Sequence, residues 1–135
     1  MTHPLSGQTA LVTGGARGIG LATVRALADL GATVTFTARS AESLATADVP
    51  ASAQGVICDI TDRDRLAQVM APGFDILVNN AAVIAPIGRI ADLTTEAFSA
   101  NIETNLVAQF DAIRLALPHM RARGRGTIVN ISSGA

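Results

Sequence analysis

A cluster of glycines near the amino terminus has the composition of a phosphate-binding turn. Gly14, Gly18 and Gly20 stand in the spacing Gly-x-x-x-Gly-x-Gly, after a short apolar run and before a segment of helical period. Glycine lets the backbone turn tightly and approach an anion, and N–H groups at the start of a helix favour negative charge. A P-loop is excluded because no Lys-Ser/Thr pair follows the last glycine. The alternative is a glycine-rich turn with a purely structural role.

The elements that position this cluster follow from the alternation of short apolar runs with longer segments of helical period. The β-α order predicts a parallel sheet with right-handed crossovers. Thr61 is the expected N-cap of the third helix, and Pro118 is expected to bend or end the fourth. The predicted strands are 9–13, 33–38, 55–60, 75–78 and 127–131, and the predicted helices are 18–30, 41–47, 62–70 and 94–122.

Composition limits the classes of function. The chain has 135 residues, one domain's length, and its 49% hydrophobic and 16% charged residues indicate a globular fold. A formal net charge of -1 argues against a nucleic-acid partner, which would require a basic surface. The single cysteine, Cys58, favours a reducing, cytoplasmic location, and neither a signal peptide nor a membrane span is expected. No metal is expected either.

Four segments occur in an informative order along the chain. They are TGGARGIG at 13–20, NNAA at 79–82, NLVAQF at 105–110 and IVNISS at 128–133. Together they resemble the short-chain dehydrogenase/reductase family of NAD(P)-dependent oxidoreductases, with alanine replacing the last glycine of that family's NNAG motif. The resemblance covers essentially the whole chain. It implies an α/β fold, a Rossmann-type doubly wound parallel sheet with strand order 3-2-1-4-5, and membership of a homo-oligomer.

The residues after the second strand bear on the choice of cofactor. A carboxylate there would accept hydrogen bonds from a ribose 2′-hydroxyl and repel a 2′-phosphate, but the sequence has Arg39 and Ser40. Arg39 can pair with a phosphate, and Arg17 can add a second guanidinium. NADP(H) is therefore the preferred cofactor, and NAD(H) is possible. The alternative is that Arg39 is an ordinary solvated residue.

The resemblance also implies a set of cofactor-binding residues. Asp59 and Ile60 would lie near the adenine ring, although Asp59 could equally be a solvated loop residue. Ala82 is a cause for doubt if the family's glycine needs a positive φ. The expected cofactor-binding residues are Thr13, Gly14, Arg17, Gly18, Ile19, Gly20, Arg39, Ser40, Asp59, Ile60, Asn80, Ala81 and Ala82.

Two further residues are implied to act in catalysis, which in the family is hydride transfer between nicotinamide and a small carbonyl or alcohol substrate. Asn105 would mark a helix irregularity whose main-chain carbonyl holds a water in a proton relay. Ser133 would hydrogen-bond the substrate oxygen and stabilise its developing charge. For Asn105 the alternative is a polar residue on a helix face.

The sequence departs from the family at its acid/base pair. The family's proton carrier is a tyrosine followed four residues later by a lysine, and neither residue type occurs among these 135 residues. The chain is therefore interpreted as the cofactor-binding half of a family domain at 1–135, truncated after the fifth strand and inactive alone. Two alternatives are a non-catalytic dinucleotide-binding module and a gene remnant.

Overall fold

The structure, a computed structural model, describes residues 3–134. The strands are β1 (Thr9–Val12), β2 (Thr33–Ala38), β3 (Ala53–Ile57), β4 (Ile76–Asn79) and β5 (Thr127–Asn130). The helices are α1 (Gly18–Asp29), α2 (Ala41–Thr46), α3 (Arg63–Met70), α4 (Thr95–Ile102) and α5 (Ala108–Arg123). A short 3-10 turn (Ile90–Asp92) precedes α4, and a π-helical turn (Glu103–Val107) joins α4 to α5. No helix in this part of the chain is long and apolar enough to cross a membrane.

All five strands pair in parallel in one sheet, in the order β3-β2-β1-β4-β5. This confirms the predicted α/β class and strand order. The chain runs outward from β1 in one direction through β2 and β3, and in the other through β4 and β5. The carboxyl ends of β1 and β4 therefore flank the point where the order reverses, which is where open α/β sheets form ligand crevices.

The sheet is covered on both faces because side chains alternate along each central strand. In β1, Ala10 and Val12 pack on one face with Val24 of α1 and Phe36 of β2. Leu11 points to the other face, toward α3 and α5. The residues of both clusters are at most 9% exposed, so both faces of the sheet bury apolar surface.

Most predicted boundaries agree with the structure to within one residue, but those of the third strand do not. The third strand was predicted at 55–60, but β3 begins at Ala53 and ends at Ile57. It ends early because Asp59 folds into a turn, in which its Oδ1 accepts from the backbone N–H of Thr61 at 3.0 Å and the hydroxyl at 2.8 Å. The Thr61 hydroxyl is thereby engaged, and Asp62 caps α3 instead, accepting from the N–H of Arg65 at 3.1 Å. The prediction of Thr61 as N-cap was wrong.

The long helix is interrupted around Asn105, where an irregularity was expected, and not at Pro118. The expected continuous helix over 94–122 is divided by the π-helical turn into α4 and α5. Helix α5 continues through Pro118 and ends at Arg123, so of the two effects predicted for this proline, a bend or an end, the structure contradicts the end. Proline is tolerated there because Pro118 and Arg114, the residue whose carbonyl loses its helical donor, both lie on the exposed side of α5.

A buried carboxylate, that of Asp75, links separate segments of the chain at the amino-terminal edge of the sheet. The side chain of Asp75 is 2% exposed, and its Oδ2 accepts from the backbone N–H of Thr9 at 2.9 Å. Its Oδ1 lies 3.3 Å from Nε of Arg123 and 3.9 Å from Nε of Arg125. The hydrogen bond from Thr9, with help from the two guanidinium groups, holds the pKa of Asp75 below its usual value despite burial.

We expect Asp75→Asn to lower the free energy of unfolding near pH 7 by about 2 kcal/mol, the usual range for a buried charge-assisted hydrogen bond. Because the folded pKa is depressed, this contribution is complete above the unfolded carboxyl's pKa of about 3.9 and is lost as the pH falls through the folded value. Urea unfolding of both proteins from pH 7 to pH 3 measures this difference, which should shrink below about pH 4.

Asp48→Asn is the matched control, since the Asp48 side chain is 97% exposed beside Arg25 and should contribute nothing measurable. Equal unfolding free energies for Asp75→Asn and the unmodified chain at pH 7 would contradict this role for Asp75.

Candidate functional site

A cavity of about 810 Å³ lies at the carboxyl ends of β1, β2, β3 and β4. Most of the predicted cofactor-binding residues line it, which is where the doubly wound fold was expected to bring them together. Those lining it are Gly14, Arg17, Gly18, Ile19, Arg39, Ser40, Asp59, Ile60, Asn80, Ala81 and Ala82. Thr13 and Gly20 are not among the lining residues. Thr13 directly follows β1, and Gly20 lies in the first turn of α1.

The start of α1 differs from the starts of the neighbouring helices. Helices α2, α3 and α4 are capped by the side chains of Ser40, Asp62 and Thr94, respectively. Helix α1 begins after Arg17 with no side-chain cap among the described residues. The N–H groups of its first turn, at the positive end of the helix dipole, therefore remain available to an anion in the cavity.

Only part of the glycine turn can serve a ligand in this way. The N–H of Gly14 donates to the hydroxyl of Thr37 at 3.1 Å, and the N–H of Gly15 donates to the Thr37 carbonyl at 3.0 Å. These two bonds hold the turn against the end of β2. The N–H groups of Gly14 and Gly15 are therefore occupied, and the Gly18 end of the turn, where the backbone φ of 57° suits glycine, is the part open to a ligand.

Thr13, Gly20 and Asn80 pack together beneath the cavity, and hydrogen bonds join Asn80 to the glycine turn. The hydroxyl of Thr13 accepts from the backbone N–H groups of Asn80 and Ala81, each at 3.0 Å. The side-chain amide of Asn80 donates to the carbonyls of Thr13 at 3.1 Å and Gly14 at 3.0 Å. A Cβ on Gly20 would collide with that same Gly14 carbonyl and with the Asn80 amide. Thr13 and Gly20 thus shape the turn without lining the cavity.

The two guanidinium groups at the cavity are unpaired. Arg17 and Arg39 are both exposed and line the cavity, and their side chains form no hydrogen bond or ion pair within residues 3–134. Several other arginines are engaged, as Arg63 is with Asp111 at 3.1 Å and Glu103 at 2.9 Å. Two unpaired cations beside an uncapped helix start make this end of the cavity suited to an anion.

The end of β3 contributes a thiol and a carboxylate to the cavity wall. Cys58 is 2% exposed, and burial raises the pKa of its thiol against a smaller opposing effect of Arg65. It therefore stays protonated near neutral pH. One Asp59 oxygen is engaged by Thr61, so this carboxylate is part of a local turn as well as of the wall. Both interpretations made from sequence for Asp59 are compatible with this placement.

Ala82, the departure from the NNAG motif, carries no backbone strain. Within residues 3–134 only glycines adopt a positive φ, so Ala82 has a conformation that any residue can take. Its side chain lines the cavity beside Ala81. The doubt raised by this substitution is thereby removed.

The two residues implied to act in catalysis lie outside the lining of the cavity. Asn105 stands in the π-helical turn, so the helix irregularity expected there is present. Its side chain binds both backbone polar groups of Val83. Oδ1 accepts from the Val83 N–H at 2.8 Å, and Nδ2 donates to the Val83 carbonyl at 2.8 Å. Ser133 is exposed just beyond β5. The catalytic roles of both residues stay predictions.

Several lining residues were missed by sequence reasoning. Thr37, which holds the glycine turn, is one of three threonines that alternate along β2, so only its place near the end of that strand could have singled it out. Ser43 and Thr46 had none, because they belong to a short helix whose orientation the sequence does not reveal. The missed lining residues are Ala16, Thr37, Ala38, Ser43, Thr46, Cys58, Val83 and Thr104.

Similarity to known proteins agrees with this geometry. The family model described as short chain dehydrogenase matches residues 8–135. The chain is 38% identical to D-beta-hydroxybutyrate dehydrogenase of Cupriavidus necator, covering 96% of this chain and 54% of that protein. It is 38% identical to gluconate 5-dehydrogenase of Gluconobacter oxydans, covering 98% of this chain and 57% of that protein. The chain therefore spans about half the length of the curated relatives it matches.

Solved structures of similar proteins share the fold. A short chain dehydrogenase/reductase family protein superposes with a TM-score of 0.89 at 40% identity, covering 98% of this chain and 57% of that one. A metagenomic short-chain oxidoreductase in complex with NADP superposes with a TM-score of 0.85 at 39% identity, covering 97% of this chain and 64% of that one. The family-model match over residues 8–135, together with these similarities, shows that the chain belongs to the short-chain dehydrogenase family.

Proposed function

We propose that the cavity binds NADP(H), and that this chain supplies the cofactor-binding part, residues 1–135, of an oxidoreductase acting on a small carbonyl or alcohol. The single observation that carries the choice of cofactor is the pair of unpaired guanidinium groups, Arg17 and Arg39, at the wall next to the end of β2. A ribose 2′-phosphate would find two cations there and no carboxylate at the tip of that strand. The relative solved with NADP supports the same choice.

The residues fit such a ligand by their donor chemistry. The first-turn N–H groups of α1 would bind the pyrophosphate, and Arg39 with Ser40 would bind the 2′-phosphate. Ile60 and Asp59 would flank the adenine, and Ala81 and Ala82 leave space for the chain of the cofactor. NAD(H) would use the same wall without the phosphate contacts, so we propose it as the weaker ligand.

In the reaction, the cofactor would give a hydride to a carbonyl or take one from an alcohol, and this chain's residues would bind and orient the two molecules. Ser133 would donate a hydrogen bond to the substrate oxygen as charge develops on it. Asn105 would hold a proton-relay water at its main-chain carbonyl, in the π-helical turn where helical hydrogen bonding is irregular. These 135 residues contain no tyrosine and no lysine, so they do not supply the tyrosine and lysine that form the family's acid/base pair.

Two further expectations belong to this proposal. A homo-oligomer is supported by large apolar side chains left exposed along α4, the π-helical turn and α5, namely Phe98, Leu106, Phe110 and Leu117. A reducing, cytoplasmic location is supported by the one cysteine, a free buried thiol.

Fluorescence titration tests the proposal on the 135-residue chain, which lacks tryptophan and therefore leaves nicotinamide emission undisturbed. We expect NADPH to bind at least about tenfold more tightly than NADH, since charge-assisted bonds to the 2′-phosphate are available to NADPH alone. In the same samples, NADPH should not be oxidised when reactive carbonyl compounds are added. Equal affinities would contradict the assignment of cofactor, and turnover above background would contradict the interpretation that the chain alone is inactive.

A further inference from the structure

Asn101 lies one helical turn before Asn105 and joins the loop that leaves β4. Its Nδ2 donates to the carbonyl of Ala85 at 2.8 Å and to the carbonyl of Val83 at 3.3 Å. Its Oδ1 accepts from Nδ2 of Asn105 at 3.2 Å. Residues four apart share one helix face, so both amides are directed at the same stretch of loop.

The network fixes the orientation of both amide groups. The Val83 N–H can only donate and its carbonyl can only accept, so Asn105 must place Oδ1 on the N–H and Nδ2 on the carbonyl. This leaves the second Asn105 N–H for Asn101, whose own two N–H groups reach loop carbonyls. Every N–H of the two amides is thereby used, and the network has one consistent arrangement.

The loop residue held in this way belongs to the cavity. Val83 lines it directly after Ala81 and Ala82, and Thr104, the residue before Asn105 in the π-helical turn, lines it too. A loop attached only through Asn105 would be held at one residue, Val83. Asn101 also binds the carbonyl of Ala85, and its Oδ1 accepts a hydrogen bond that supports the Asn105 amide.

We infer that Asn101 is a positioning residue: it clamps residues 83–85 against the π-helical turn, holds the Asn105 amide in register with Val83, and thereby preorganises one wall of the dinucleotide cavity. The consequence for binding rests on the proposed function, but the consequence for the loop does not. Asn101 was not among the residues singled out from sequence, because its partners are backbone carbonyls of a loop.

The test replaces Asn101 by aspartate, which has the same shape but cannot donate and would turn a carboxylate toward two carbonyl oxygens. Amide hydrogen exchange by NMR should show faster exchange at the Val83 N–H by about tenfold, and fluorescence titration should show NADPH bound about tenfold more weakly, the factor for one lost hydrogen bond of ordinary strength. Asn101→Ala, which removes the clamp without adding charge, is measured alongside and decides the test if the aspartate variant does not fold.

Ser99→Ala is the matched control, an exposed position on the same helix with no side-chain role in this network. It should change neither readout. Unchanged exchange at Val83 in folded Asn101 variants would overturn the inference. Faster exchange with unchanged NADPH affinity would reduce Asn101 to a structural residue and would also overturn it. If the unmodified chain binds no NADPH, the proposed function fails, while exchange at Val83 still decides whether Asn101 clamps the loop.

Discussion

Arg39→Glu is expected to weaken NADPH binding by about 100-fold, because it removes a charge-assisted pair with the 2′-phosphate and introduces a like charge beside it. NADH binding should stay within about threefold or tighten, since a carboxylate after β2 can accept hydrogen bonds from the ribose hydroxyls. The variant should therefore prefer NADH. Fluorescence titrations with both dinucleotides measure the change in preference.

The matched control is Arg89→Glu, the same charge reversal at an exposed arginine that does not line the cavity. It should leave the ratio of the NADPH and NADH affinities unchanged, apart from a small long-range electrostatic effect that added salt removes. If both variants lose NADPH binding equally, the effect comes from overall charge, and the specific role of Arg39 is contradicted. Arg17→Glu should weaken NADPH binding as well, because Arg17 lines the same cavity.

Gly20→Ala is expected to lower the free energy of unfolding by about 2 kcal/mol and to weaken dinucleotide binding by at least about tenfold. The added Cβ would collide with the Gly14 carbonyl and the Asn80 amide, which are hydrogen-bonded to each other beneath the cavity. Neither can retreat freely: the first is backbone, and the second is bonded to Thr13 and Gly14. Relief would displace the start of α1, whose N–H groups we assign to the pyrophosphate.

Ala22→Ser is the control for Gly20→Ala. It also adds one heavy atom to α1, at an exposed position two residues along the helix. Urea unfolding should give the unmodified free energy for this variant, and NADPH titration the unmodified affinity. If Gly20→Ala behaves in the same way, the close approach of α1 to the glycine turn is not needed for either property.

The sheet and most of the cavity were predictable because they depend on local patterns and on one rule of topology. Apolar runs ending in Gly14, Arg39, Asp59 and Asn80 indicate parallel strands, and the carboxyl ends of parallel strands lie at one edge of the sheet. Residues far apart in sequence therefore had to meet there. No packing detail was required for that conclusion.

What could not be predicted depends on competition for hydrogen bonds. Thr61 and Asp62 can both act as an N-cap. Asp62 caps α3 because the hydroxyl of Thr61 is already hydrogen-bonded in the turn at Asp59. Thr13 was expected to bind the cofactor, yet its hydroxyl is occupied by two N–H groups after β4. The clamp at Asn101 is likewise set by loop geometry that sequence does not reveal.

The account depends most on the position of the 2′-phosphate. A crystal structure of the chain with bound NADPH tests it directly, by the distance between the phosphate oxygens and the guanidinium groups. We predict the pyrophosphate at the start of α1 and a 2′-phosphate oxygen within about 3.5 Å of the Arg39 guanidinium, the range of a charge-assisted hydrogen bond. A dinucleotide bound outside the cavity, or one whose 2′-phosphate points to solvent away from both Arg39 and Arg17, would contradict it.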